Sequence, residues 1–169
     1  MNTVLYIALV QGAFGAFDTL YYHEYVLQLP KTVTAGLELK LHALRDFAYA
    51  LIFFSLGWVE WHGAFAVVFA LIILGEVVVT LWDFLEEDRT RKLPKGERAM
   101  HAIMGIAYGA LMAYFAPILY EYWLLPTGFL RTDHGWLSWA MAAMAFGVLG
   151  SGVRDLWSSL RMRSAALTR

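Results

Sequence analysis

Five stretches of the chain are each about twenty residues long and almost wholly apolar: about 3–22, 41–60, 63–84, 100–123 and 135–158. A helix needs roughly 20 such residues to cross the hydrocarbon core of a bilayer. Backbone in lipid has no water to bond, so it must satisfy its own hydrogen bonds. Runs of this kind leave little choice of fold. The chain reads as all-α: a polytopic integral membrane helical bundle of about five transmembrane helices, forming one domain over residues 1–169. Hydrophobic residues make up 60% of it, more than the roughly half expected of a soluble domain. The opening MNTVLYIALVQG has no basic stretch before its apolar run, so it does not read as a cleavable signal.

Lys and Arg set the expected orientation, because cytoplasmic loops carry an excess of them. Five spans put the loops 23–40 and 85–99 and the C-terminus on one side. That side holds every Lys and Arg except Arg131. The expectation is an inner-membrane protein with its N-terminus outside and its C-terminus cytoplasmic. Tryptophans agree with the layout, since their rings prefer the headgroup level. Trp58, Trp61, Trp123, Trp136 and Trp139 fall at the expected outer ends, and Trp82 and Trp157 at the inner ends. Only a few residues around His62-Gly63 join the second and third runs, which are expected to form an antiparallel hairpin.

The sequence also repeats itself. LPKTVTAGLELKLHALRDFAYA aligns with LPKGERAMHAIMGIAYGA across one gap, matching Glu38 with Glu97, His42 with His101 and Tyr49 with Tyr108. Two spans per copy give both copies the same orientation, a tandem parallel repeat. Its expected bounds are about 5–60 and about 64–123, with an extra helix at about 135–160. VRDLWSS in the last run reads as a truncated third copy.

Ionisable groups at membrane depth are costly and tend to mark function. Here they gather near one end of the first four runs. Residues four apart share a helix face. Glu38, His42 and Asp46 therefore form one stripe, Glu97 and His101 its counterpart, and Glu76, Thr80, Asp83 and Glu87 a third. Carboxylate with imidazole suits iron, manganese or zinc. The order of acid, Glu/His, acids and Glu/His resembles the ligand arrangement of ferritin-like di-metal bundles. It departs in spacing, Glu-x-x-x-His in place of Glu-x-x-His, which turns the pair by a further ~100°. The expected metal ligands are Glu38, His42, Glu97 and His101, completed by His23, Glu24 and Asp83 or Glu87. Asp46 and Glu76, further from the loops, are expected to move protons in catalysis.

These features suggest a membrane metalloenzyme acting on a lipid or quinone-like hydrophobic substrate. An iron-dependent oxidoreductase comes first and a zinc-type hydrolase second. A haem held by His42 and His101 fits the surrounding carboxylates less well. Expected partners are membrane lipids, with an electron-donor protein or a second copy of the chain as further candidates. Two other classes stay open: a proton or divalent-metal transporter, and a non-catalytic subunit of a larger membrane complex. Against transport, the outer half of the runs is nearly free of ionisable residues. A net charge of −1 offers no field for nucleic acid. The absence of Cys excludes disulfides, thiolate metal sites and Cys nucleophiles. There is no Gly-rich phosphate loop and no Gly-x-Ser-x-Gly elbow.

Overall fold

The computed structural model of the chain describes residues 1–32 and 35–167. It is an all-helical bundle of five long helices. α1 (Asn2–Phe17) runs without a break into a π-helical segment, Asp18–Val26. A 3₁₀ turn at Leu29–Lys31 leads to α2 (Gly36–Trp58). The short strand β1 (Val59–His62) precedes α3 (Ala64–Thr90), then come α4 (Lys95–Trp123), β2 (Gly128–Arg131) and α5 (Trp136–Leu167). Four segments are long and apolar enough to cross a membrane: Asn2–Val26, Ala64–Thr90, Lys95–Trp123 and Trp136–Met162. α2 differs because Glu38, Lys40, Arg45 and Asp46 crowd its first half.

The helices outrun the apolar stretches that announce them. α2 begins at Gly36, α3 continues to Thr90 and α4 starts at Lys95. Much of what looked like polar loop is therefore helix, and its Glu38, Glu86, Glu87 and Glu97 turn inward. Leu71, Val78, Ile106 and Phe146, by contrast, lie on the outside of the bundle. Apolar outside and charged inside is the pattern of a helix bundle solvated by lipid.

α2 and α5 pack along their whole length. A Cβ on Gly57 would lie 2.8 Å from Met141 Cβ, and one on Gly152 would lie 2.9 Å from Asp46 Cβ, so both glycines are there for close approach. The hydroxyl of Ser138 donates to Gly57 O at 2.6 Å and that of Ser159 to Gly36 O at 2.8 Å, tying the two ends of the seam.

The two ends of the bundle are chemically opposite. At one, Val4, Leu5, Phe53, Leu56, Phe69, Phe115 and Met141 make an apolar core. A ribbon closes this end: β1 and β2 pair antiparallel, Val59 with Arg131 through His62 with Gly128. Sequence periodicity had run the second helix through residue 60. The chain instead leaves the helix at Trp58 and is extended from Val59, where it pairs with β2. At the other end, here called the polar end, residues 27–35 and 91–94 connect the helices, and buried carboxylates and histidines replace the core.

Gly63 makes the turn between β1 and α3 with φ +57°. A Cβ there would lie 2.6 Å from Thr127 Cα. Gly63→Ala is therefore expected to destabilise the fold by about 1–3 kcal/mol, through the left-handed backbone and the clash. Detergent-solution unfolding midpoints of the two proteins check it.

Candidate metal centre

Five carboxylates at the polar end are at most 1% exposed: Asp18, Glu38, Asp83, Glu87 and Glu97. His23, His42 and His101 are buried among them. They arrive in pairs, one pair from each of four elements. Asp18 and His23 come from the π-helical segment, Glu38 and His42 from α2, Asp83 and Glu87 from α3, and Glu97 and His101 from α4.

The π-helical segment matters most for the first pair. Five residues along an α-helix turn roughly 500°, leaving Asp18 and His23 about 140° apart. The i→i+5 repeat of a π-helix brings them onto one face. Here His23 Nε2 is 3.4 Å from Asp18 Oδ2 and 3.4 Å from Glu97 Oε1. On the other helices, ordinary four-residue spacing suffices.

Potential ligand atoms fall into two groups. His23, Glu87, Glu97 and His101 form one, with the atoms all within 4.8 Å of one another; Glu38, His42 and Glu87 form the other. Glu87 belongs to both. Its Oε1 faces His42 Nε2 at 3.6 Å and its Oε2 faces His101 Nδ1 at 3.5 Å. Neither oxygen accepts a hydrogen bond, and neither His23 Nε2 nor His42 Nε2 has a hydrogen-bond partner. Buried polar atoms are almost always satisfied, so four bare ones aimed at the same two points call for an explanation.

The spacing supplies one. Charge-assisted hydrogen bonds run at about 2.7–2.9 Å. The imidazole-to-carboxylate distances here are longer: 3.2 Å for His42–Asp83, 3.3 Å for His101–Asp18, then 3.4–3.6 Å for the rest of the set. Two ligand atoms each about 2.1 Å from a tetrahedral ion lie about 3.4 Å apart. Within the two groups, His23–Glu97, His42–Glu87 and His101–Glu87, at 3.4, 3.6 and 3.5 Å, are near that spacing. These two buried His/Glu groups could each hold a metal ion.

Three guanidiniums frame the cluster. Arg91 grips Glu97 with two parallel bonds of 2.8 and 2.9 Å, donates to Glu38 Oε1 at 3.0 Å through Nε, and lies 3.4 Å from Glu87 Oε1. Burial works against its charge, but the bonds to Glu97 and Glu38 outweigh this and hold it above the ordinary arginine range. A carboxylate oxygen has two lone pairs, so Arg91 orients Glu38 and Glu97 without exhausting them. Arg45 pairs with Asp83, and Arg154 pairs with Asp155, which lies 3.9 Å from His42 Nδ1.

Seven of the eight expected ligands thus converge: Glu38, His42, Glu97, His101, His23, Asp83 and Glu87. Glu24 is placed apart. It pairs with Arg154 at 2.6 Å and keeps a third of its side chain exposed. Asp46 faces α5 beside Ser151 and Gly152, and Glu76 lies deeper, where it accepts a hydrogen bond from Thr80 at 2.5 Å. Asp18, which the sequence reading left out of the ligand set, faces His23 and His101. Sequence reasoning missed the framing role of Arg91, whose partners lie 53 and 6 residues away, and it missed Asp155, which no local pattern ties to His42. No protein-family model, curated protein or solved structure matches the chain.

Removing Arg91 leaves two fully buried carboxylates without their cation. Arg91→Met is expected to cost about 3–5 kcal/mol. Arg98, whose side chain is 63% exposed beside the equally open Asp88, is the control. Arg98→Met is expected to leave the unfolding midpoint unchanged. Denaturant titration of both variants in detergent measures the contrast.

Proposed function

We propose that the chain is an integral membrane metalloprotein with a two-metal Glu/His centre bridged by Glu87. We assign it as an oxidoreductase, using iron or manganese, on a lipid or quinone-like substrate. The observation that supports this best is Glu87 itself: a fully buried carboxylate with two bare oxygens, each facing a different histidine. His23, Glu97 and His101 would hold one ion with Glu87. Glu38 and His42 would hold the other, with Asp83 beside His42 and Asp18 beside His101. Nitrogen and oxygen ligands without sulfur suit iron, manganese or zinc. When bound, such a pair supplies one-electron redox chemistry if iron or manganese, or Lewis-acid activation of water if zinc.

The chain's own residues have distinct parts in this. Arg91 fixes two carboxylates from the loop side, as outer partners of metal ligands commonly do. Asp83 and Asp155 flank His42, 3.2 Å from Nε2 and 3.9 Å from Nδ1, and keep negative charge on both sides of its ring. Glu76, two helical turns deeper, is suited to hold a proton away from loop solvent. The spacing Glu38–His42–Tyr49 recurs as Glu97–His101–Tyr108, which is what a duplicated half-site would produce. All five helices are read as spans, with the N-terminus outside and the polar end cytoplasmic, by the Lys and Arg bias.

Charge counting favours a second reading enough to name it. Five buried carboxylates against Arg45 and Arg91 leave 5 − 2 = 3 negative charges. Three imidazolium ions would cancel them, making the cluster a proton store. One dication leaves −1 and two give +1, with neutral histidines. Ring stacking supports the metal reading. The rings of His23 and His42 lie parallel with centroids 4.6 Å apart. Two imidazolium charges at that distance repel by about 4 kcal/mol at an effective dielectric constant near 20. Neutral, metal-holding imidazoles stack without that cost.

Elemental analysis of the untagged, detergent-purified chain, with an absorption spectrum alongside, tests the proposal. About two iron or manganese ions per chain are expected. Zinc would move the assignment to hydrolysis, and a folded, metal-free protein would overturn it in favour of the proton store. Glu87→Gln is expected to lose both ions, while His42→Ala and His101→Ala each lose about one. Metal content is expected to fall as pH is lowered, because imidazole and carboxylate must shed protons to bind a metal.

A further inference from the structure

The duplicated half-sites carry more than metal ligands. Each Glu/His pair is followed, seven residues past the histidine, by a tyrosine: Tyr49 after His42 and Tyr108 after His101. Seven residues are close to two turns, so each phenol shares the inward face of its histidine, about 10 Å further along the helix. Both hydroxyls come to one carboxyl, that of Glu76 on α3. The two rings meet edge to face with centroids 5.6 Å apart. Metal binding alone does not call for a pair of phenols two turns away.

The groups around Glu76 have hydrogens to give it. Thr80 donates to Oε1 at 2.5 Å, and Gln11 donates to the Tyr49 oxygen at 3.5 Å, which leaves the Tyr49 hydrogen free to turn to Glu76. Among the described residues no hydrogen bond ties the Tyr108 hydroxyl elsewhere, and Glu76 Oε2 accepts none. Phenol and carboxyl have each other and little else. Glu76 is 2% exposed and Tyr108 7%. Toward the ribbon end Leu56, Leu111 and Phe115 join Tyr108 in the apolar core, so water does not reach the phenol from that side. Tyr122 also lies beside a carboxyl, that of Glu60. It sits about 21 Å beyond Tyr108 along α4, too far from His101 for the same part.

We infer that Tyr108 is a one-electron donor to the metal centre, with Glu76 as the base that takes its phenol proton. Oxidising a phenol with its proton in place leaves a cation, which is costly in hydrocarbon. A carboxylate against the hydroxyl removes that cost. The Tyr108 O–H bond breaks, and its proton forms an O–H bond on Glu76. The electron goes to an oxidised iron or manganese ion held by His101 and its partners, which is reduced by one unit. Tyr108 is left as a neutral phenoxyl radical, and no proton crosses lipid. The inference rests on the redox reading of the metal centre. It adds a place, two turns deeper, where one oxidising equivalent is kept away from water.

The chain has no Cys, so an oxidant can be tied at one chosen place. A Cβ at Gly105, one turn from Tyr108, meets nothing within 4 Å. Gly105→Cys carrying a ruthenium tris-bipyridine label makes a one-electron oxidant by flash and needs no bound metal. In the metal-free labelled protein the flash is expected to give a tyrosyl electron-spin-resonance signal. Tyr108→Phe is expected to lower its yield at least about tenfold, and Tyr122→Phe to leave it unchanged. Glu76→Gln is expected to slow its formation about a hundredfold and to abolish the slowing seen in deuterium oxide. Unlabelled protein loaded with iron or manganese is then exposed to oxygen, with metal content measured on each variant. The radical is expected in the wild type and absent from Tyr108→Phe at equal metal content. A flash signal that survives Tyr108→Phe, or a rate unchanged by Glu76→Gln, overturns the inference. So does loaded protein that oxidises identically with and without the Tyr108 hydroxyl, in which case the metal reading stands. A flash signal at Tyr108 in a chain that binds neither iron nor manganese overturns the metal reading and the donor role together, and leaves a phenol with its base.

Discussion

Burying Glu87 is the step on which the polar end of the bundle depends. An ionised carboxylate without water costs several kcal/mol unless positive charge and hydrogen bonds replace its hydration. Glu87 gets neither from its own helix. The charge of Arg91 comes from the adjoining loop, and the ring nitrogens of His42, His101 and His23 come from α2, α4 and the π-helical segment. Each brings a further carboxylate, so the need for positive charge grows as it is met. This circular dependence holds four elements to one point. It explains why α2, with its charged first half, runs inside the bundle, sealed against α5 by Gly57 and Gly152, while the more apolar helices face outward.

What could be read from the sequence follows from which constraints are local. Lipid demands apolar residues in runs of about twenty, so the helices announce themselves. Four-residue spacing puts Glu38 with His42, and Glu97 with His101, on common faces. The rest was hidden for physical reasons. Asp18 and His23 point apart under α-helical geometry, and only the π repeat aligns them. Glu24 sits at the same depth as His23, but neighbours on a helix diverge by about 100°, so only one of the two can face inward. Arg91 reads as one more loop cation, because nothing local records that its partners will be Glu38 and Glu97. β1 and β2 are four residues each, too short for alternation to stand out against apolar helices.

The inward faces continue past the buried His and carboxylate cluster. Tyr49 lies seven residues beyond His42, Tyr108 seven beyond His101, and Glu76 seven before Asp83. Seven residues are close to two turns, so each polar pair shares a face and is separated by about 10 Å along the helix. Two layers result. The first is dense in charge and lies near the loops. The second, with Gln11 donating to Tyr49 at 3.5 Å, consists of phenols, an amide and one carboxyl. Arg45, one turn from Tyr49 and paired with Asp83, stands between them.

That grading follows the cost of charge with depth. Near the loops, guanidiniums reach in from the connections and the partly exposed Arg154 joins the frame, so full charges are affordable in number. Two turns deeper the bundle offers mostly neutral groups: the phenols of Tyr49 and Tyr108 and the Gln11 amide, around the one carboxyl of Glu76. Neutral groups that pair with one another need no guanidinium, so polarity persists at that depth while the density of charge does not.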